Sequence, residues 1–131
     1  MIGADTSVIV RYLVGSPPAQ ARRAARLIDG EAEIGVTVVA LAECAHVLRT
    51  QYEVPQRDII DALIGLVQRE NVRVIGLRGD LLVEKLVRAR TLPGRPIPDA
   101  MIVAGTVGAD ALPLATFDRD QRRYGIETRD P

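Results

Sequence analysis

Four acidic residues, Asp5, Glu43, Asp99 and Asp118, are the positions where side-chain type and spacing could do chemistry. Each sits among strongly apolar neighbours, as in Ala40-Leu41-Ala42-Glu43-Cys44-Ala45 and Asp99-Ala100-Met101-Ile102. Carboxylates are rarely placed beside a core unless something cationic holds them there. Brought together, the four would form one site for a hard divalent cation. Mg²⁺ and Mn²⁺ prefer oxygen ligands, keep several waters and are commonly held by a few carboxylates plus substrate phosphates. Two such ions roughly 3.5–4 Å apart activate a water and steady the leaving oxygen of a phosphodiester. A set without His or Cys favours this chemistry over zinc hydrolysis.

Each carboxylate also has a structural role open to it. Asp5, Asp99 and Asp118 could cap helices or turns, as Asp commonly does. Glu43 lies mid-helix, where a cap is impossible, and its alternative is a solvated helix face.

The elements that must position these groups can be read from pattern. Met1–Ala4 is a short buried strand ending near Asp5, followed by a short helix. Ser16-Pro17-Pro18 starts a helix that Gly30 ends, with Ser16 as the cap. Glu33–Val36 is a second strand, and Thr37 caps a helix running to about Thr50. Pro55 opens a helix carrying Ile59, Leu63, Leu66 and Val67 at helical spacing, and Val72–Leu77 is a third strand. Asp80 to about Leu92 is helical up to Pro93-Gly94, and a helix rich in small residues runs from Pro98-Asp99 to Gly108. Leu112–Thr116 is a fourth strand ending at Phe117-Asp118, and a last short strand falls near Glu127. Short apolar strands alternating with helices predict an α/β fold, a three-layer α/β/α sandwich with a mostly parallel sheet. Ligands of such sheets bind outside the carboxyl ends of the strands, where Asp5 and Asp118 fall.

Bulk properties fit one domain over residues 1–131, with 47% hydrophobic residues to build a core and only 3% aromatic. Net charge is zero, so no overall basic field advertises nucleic acid, although local patches are compatible with it. The lone Cys44 cannot form an intrachain disulfide and is expected to be an inert buried thiol in a reducing compartment. No basic segment precedes Met1-Ile2, so no signal peptide is expected. The longest apolar stretch, Gly35–Leu48, is too short to span a bilayer. A cytoplasmic protein that makes no membrane contact is the expectation.

Other signals carry less. Glu43-x-x-His46 is a single copy of a di-iron motif that needs two, and the chain has one His. The sole lysine, Lys85, lies within a helix, which excludes the late-strand Lys of a response-regulator receiver. No phosphate-cradling glycine loop is present. Arginines cluster at 22, 23 and 26, at 88, 90 and 95, and at 119, 122 and 123. The third cluster immediately follows Asp118 and is the best candidate for gripping substrate phosphates. Arg11 is expected to pair with a buried acid.

Asp5-Thr6-Ser7-Val8-Ile9-Val10-Arg11-Tyr12-Leu13 closely resembles the opening of PIN-domain proteins, especially VapC-type toxins of bacterial toxin–antitoxin pairs. Leu41-Ala42-Glu43, Asp99-Ala100-Met101-Ile102 and Thr116-Phe117-Asp118-Arg119-Asp120 agree with it in order and spacing. The resemblance implies a Mg²⁺- or Mn²⁺-dependent endoribonuclease that inhibits translation and growth, with Asp5, Glu43, Asp99 and Asp118 as its acidic quartet. Asp5, Asp99 and Asp118 would hold metal, with Glu43 a ligand or a positioner of metal-bound water. Thr6 and Thr116 match supporting hydroxyl positions, and Asp120 a further acidic position of some members. Gln121 departs from the aromatic residue many relatives carry, a change expected to affect packing more than chemistry. The resemblance further implies a homodimer neutralised by a VapB-type antitoxin, whose tail can send an Arg into the acidic pocket. A structure-specific DNA nuclease and a non-catalytic PIN-like binding module are the alternatives.

Overall fold

A computed structural model describes residues 1–131. Three parallel strands, β1 (Ile2–Gly3), β2 (Ile34–Thr37) and β3 (Val72–Ile75), form a sheet in that order, with Ile34 in register between Ile2 and Val72. Two further strands, β4 (Leu114–Ala115) and β5 (Thr128–Arg129), pair in parallel as a second small sheet. Helices α1 (Thr6–Val14), α2 (Pro18–Ile28), α3 (Val38–Thr50), α4 (Gln56–Val67), α5 (Gly79–Ala89) and α6 (Pro96–Gly108) connect and cover the strands. The result is the expected three-layer α/β/α arrangement with parallel strands.

Local chemistry accounts for these elements. Thr37 caps α3 as expected, its Oγ1 accepting from the Ala40 N–H at 3.1 Å. Ser16 does not cap α2; Pro17 occupies that position and makes no side-chain cap bond, because Pro18 already fixes the first helical turn. Along α3, Leu41, Cys44, Ala45 and Leu48 are buried at helical spacing, which leaves Glu43 and His46 on the exposed side. β2 is the interior strand, with Ile34 and Val36 fully buried. Gly35 points the other way, where a Cβ would lie 2.7 Å from the Ile75 Cδ1.

The core is aliphatic: Ile9, Ile34, Leu41, Leu63 and Leu86 are each 0% exposed, and each such side chain contributes about 1.5–3 kcal/mol on burial. Tyr124 is the one aromatic that is fully enclosed. It closes a 3₁₀ helix, Arg119–Tyr124, which sequence patterning did not reveal. Its phenol O–H donates to the Pro96 carbonyl at 2.6 Å, and Lys85, itself buried, donates from Nζ to the Tyr124 carbonyl at 3.3 Å. Gly125 follows at φ +70°, and a Cβ there would meet the Arg88 guanidinium at 3.0 Å. The segment carrying Asp118 is thereby anchored to α5 and to the start of α6. No helix is long and apolar enough to cross a membrane.

Candidate active site

The four carboxylates are presented by four separate elements. Asp5 follows β1 and occupies the N-cap position of α1, yet its side chain makes no cap bond. Instead Ser7 Oγ donates to its Oδ2 at 3.2 Å. Glu43, on the exposed side of α3, accepts from Thr6 Oγ1 at 2.7 Å. These contacts place Asp5, Thr6 and Glu43 in one cleft between α1 and α3, whose wall also includes Arg11, Gln51 and Tyr52.

Asp99 lies in the first turn of α6, half-buried. Asp118 follows β4 and does cap, its Oδ1 accepting from the Asp120 N–H at 2.8 Å. Thr116 Oγ1 accepts from the Asp118 N–H at 2.9 Å, so this hydroxyl fixes the main chain that carries Asp118. Asp99, Asp118 and Asp120 line a second cleft together with Arg95, Arg123 and Tyr124. Burial is the chief influence raising the Asp99 carboxyl above its ordinary value; the Gln121 amide opposes it, and the charges of Asp118 and Asp120 add to it. Gln121 is buried with its Oε1 unpartnered. Beyond packing, the departure at this position therefore sets a polar amide against Asp99.

Asp5 and Glu43 share one cleft, Asp99, Asp118 and Asp120 another, and no three His, Cys, Asp or Glu side chains are grouped so as to hold a metal ion. Carboxylates drawn to 4 Å would repel by about 4 kcal/mol at an effective dielectric of 20, a repulsion that a bound divalent ion would offset. In donor chemistry the residues fit a hard divalent ion. All are oxygen ligands, and none of Asp5, Glu43, Asp99 or Asp118 forms an ion pair with a basic side chain. Asp120 does, with Arg123 at 3.3 Å.

The basic residues are distributed differently from expectation in one place. Arg11 pairs with no acid; its guanidinium bonds Gln20 Oε1 and the Ser7 carbonyl, because the nearest polar group on α2 is an amide. Arg23 lies across from it in a separate concavity between α1 and α2. Arg88 and Arg90 are engaged structurally, with the Arg123 carbonyl at 3.1 Å and with Asp61 at 2.9 Å. In the third cluster Arg122 bonds Thr128 and Arg123 pairs with Asp120, while Arg119 has no hydrogen-bond or ion-pair partner. Cys44 is fully buried, and burial pushes its thiol up to about 12, the inert thiol expected.

The PIN domain family profile matches residues 3–127. PIN domains are typically metal-dependent nucleases. No curated protein and no solved structure matches the chain.

Proposed function

The chain belongs to the PIN domain family, and from that premise we propose that it is a Mg²⁺- or Mn²⁺-dependent endoribonuclease of VapC type, the toxin of a toxin–antitoxin pair. The observation that carries the proposal is the set of four carboxylates, Asp5, Glu43, Asp99 and Asp118, at strand ends and on helices α3 and α6, none of them paired with a basic side chain. Asp5, Asp99 and Asp118 would hold the metal, with Glu43 a ligand or an orienter of water. When bound, the metal supplies a nucleophilic hydroxide at neutral pH and offsets charge on the phosphate.

The remaining roles fall to the chain itself. Thr6 holds the Glu43 carboxylate in one orientation through its 2.7 Å bond. Thr116 holds the Asp118 main chain. Asp120 adds negative charge beside Asp99 while sharing its own with Arg123. Arg119 is free to grip a phosphate of the substrate. Cleavage of cellular RNA would inhibit translation and growth. A VapB-type antitoxin would neutralise the enzyme by inserting an Arg beside the carboxylates, competing with the metal. A homodimer acting in the cytoplasm completes the proposal.

A cleavage assay tests it. RNA should be cut with Mg²⁺ or Mn²⁺ and left intact in EDTA, while flap and single-stranded DNA should persist. Preferential cutting of DNA would replace the RNA assignment. Induced expression should arrest growth, and Asp5→Asn should relieve the arrest. The second account is a non-catalytic PIN-like binding module that keeps the fold without the activity, against which the intact acidic quartet argues. Absence of both Mn²⁺ binding and cleavage would establish that account instead.

A further inference from the structure

Phe117 is the chain's only phenylalanine, and it is 92% exposed, more than any other large hydrophobic side chain. The other aromatic side chains are at least partly committed. Tyr124 is enclosed, Tyr12 donates to Asp29 at 2.7 Å, and Tyr52 is about half covered. An aromatic ring left in water forgoes the burial that would stabilise the fold, so nothing in the core explains this placement.

The backbone beneath the ring is held firmly. The Thr116 N–H donates to the Arg129 carbonyl at 3.1 Å, and Thr116 Oγ1 accepts from the Asp118 N–H at 2.9 Å. Asp118 Oδ1 in turn accepts from the Asp120 N–H at 2.8 Å. Phe117 is therefore a fixed platform with only two side-chain torsions to order. Asp118, extended at φ −94° and ψ 113°, separates the ring from the first residue of the 3₁₀ helix. That residue is Arg119, the arginine of its cluster with no hydrogen-bond or ion-pair partner.

A flat apolar ring and a free guanidinium flanking Asp118 in the chain match the two parts of a nucleotide. Bases stack on aromatic side chains irrespective of sequence, and Arg binds the adjoining phosphate. We infer that Phe117 stacks a base of single-stranded RNA next to the scissile phosphate, with Arg119 on the neighbouring phosphate, making this pair the substrate clamp of the proposed nuclease. The inference rests on that proposal for its substrate class.

The experiment exploits the absence of tryptophan from the chain. Phe117→Trp places a single fluorophore at the platform, and circular dichroism verifies the fold of each variant. In EDTA, a single-stranded oligoribonucleotide should quench that fluorescence saturably. Phe117→Ala should weaken the Kd for the same oligonucleotide by about 5- to 100-fold, with Phe117→Tyr and Phe117→Trp close to wild type. With metal, the Phe117→Ala defect should fall on KM more than on kcat. Equal RNA affinity of Phe117→Ala and wild type, or no RNA binding by wild type, overturns the inference. A sedimentation change in Phe117→Ala without loss of RNA affinity also overturns it and makes the ring a protein contact. Phe117-dependent RNA binding without any cleavage would retain the clamp and remove the nuclease proposal.

Discussion

Thr6 Oγ1 donates to Glu43 Oε2 at 2.7 Å, joining the first turn of α1 to the middle of α3 across 37 positions of sequence. Glu43 is exposed and makes no ion pair, so this hydroxyl is the one side chain that orients its carboxylate. If Glu43 serves the metal as proposed, removing this hydrogen bond should cost about 10- to 100-fold in metal affinity or activity. Thr6→Ala should show that loss in metal-dependent RNA cleavage, and Thr6→Ser should restore most of the rate. Stability should change little, since Thr6 lies at the surface end of α1. Equal loss in both variants would show that the methyl group, through packing, is what matters.

Asp99 links the site to stability. Its carboxyl is raised in the folded protein, so the folded chain keeps a proton that the unfolded chain has already released. Between the ordinary and the raised values the folded state binds more protons. Stability therefore falls as pH rises through that window, and the loss is complete above it. Asp99→Asn removes the ionisable group. Melting in EDTA from about pH 3 to about pH 8 should show Asp99→Asn gaining on wild type as pH rises, with the difference closing at the acid end. A flat difference across the range would contradict the burial and charge effects assigned here.

Tyr124 couples the two parts of the second cleft. Its O–H bond to the Pro96 carbonyl, 2.6 Å long and buried, ties the 3₁₀ helix after Asp118 to the turn before Asp99. Tyr124→Phe keeps the ring and removes this bond, while the Pro96 carbonyl keeps its helical one, at a cost of about 0.5–1.5 kcal/mol. Urea denaturation should measure this loss. Cleavage should fall as well, because Asp118 is no longer held against α6.

Cys44 gives an independent check on the core. Its thiol is 0% exposed and pushed up to about 12 by burial, so almost no thiolate is present at ordinary pH. Iodoacetamide at mildly alkaline pH should leave the native protein unmodified and alkylate it fully in denaturant. Rapid native labelling would mean that α3 is not packed as described.

Helices and strands were legible where local chemistry decides them. Thr37 before an apolar helix, Pro55 before Ile59 and Leu63, and the apolar run of β2 carry their own signals. The short β5 was legible only as a brief strand near Glu127, and it gains its pairing from β4. The 3₁₀ helix Arg119–Tyr124 was not legible, because three Arg and an Asp in six residues look like a solvated loop. Tertiary bonds to Pro96 and Lys85 make it a structured element. Burial of Gln121 was hidden for the same reason. The four acidic positions could be picked out by their neighbours, whereas the clefts they line depend on how their four elements pack. Arg11 illustrates the limit of charge pairing by type, since α2 offers it an amide.

The central claim is that the two acidic halves act as one metal site. Calorimetric titration of Mn²⁺ into wild type, Asp5→Asn and Asp99→Asn, each verified as folded, tests it most directly. The account predicts binding by wild type and its loss in both variants, although the substituted residues line different clefts. Unchanged Mn²⁺ affinity in either variant would contradict it.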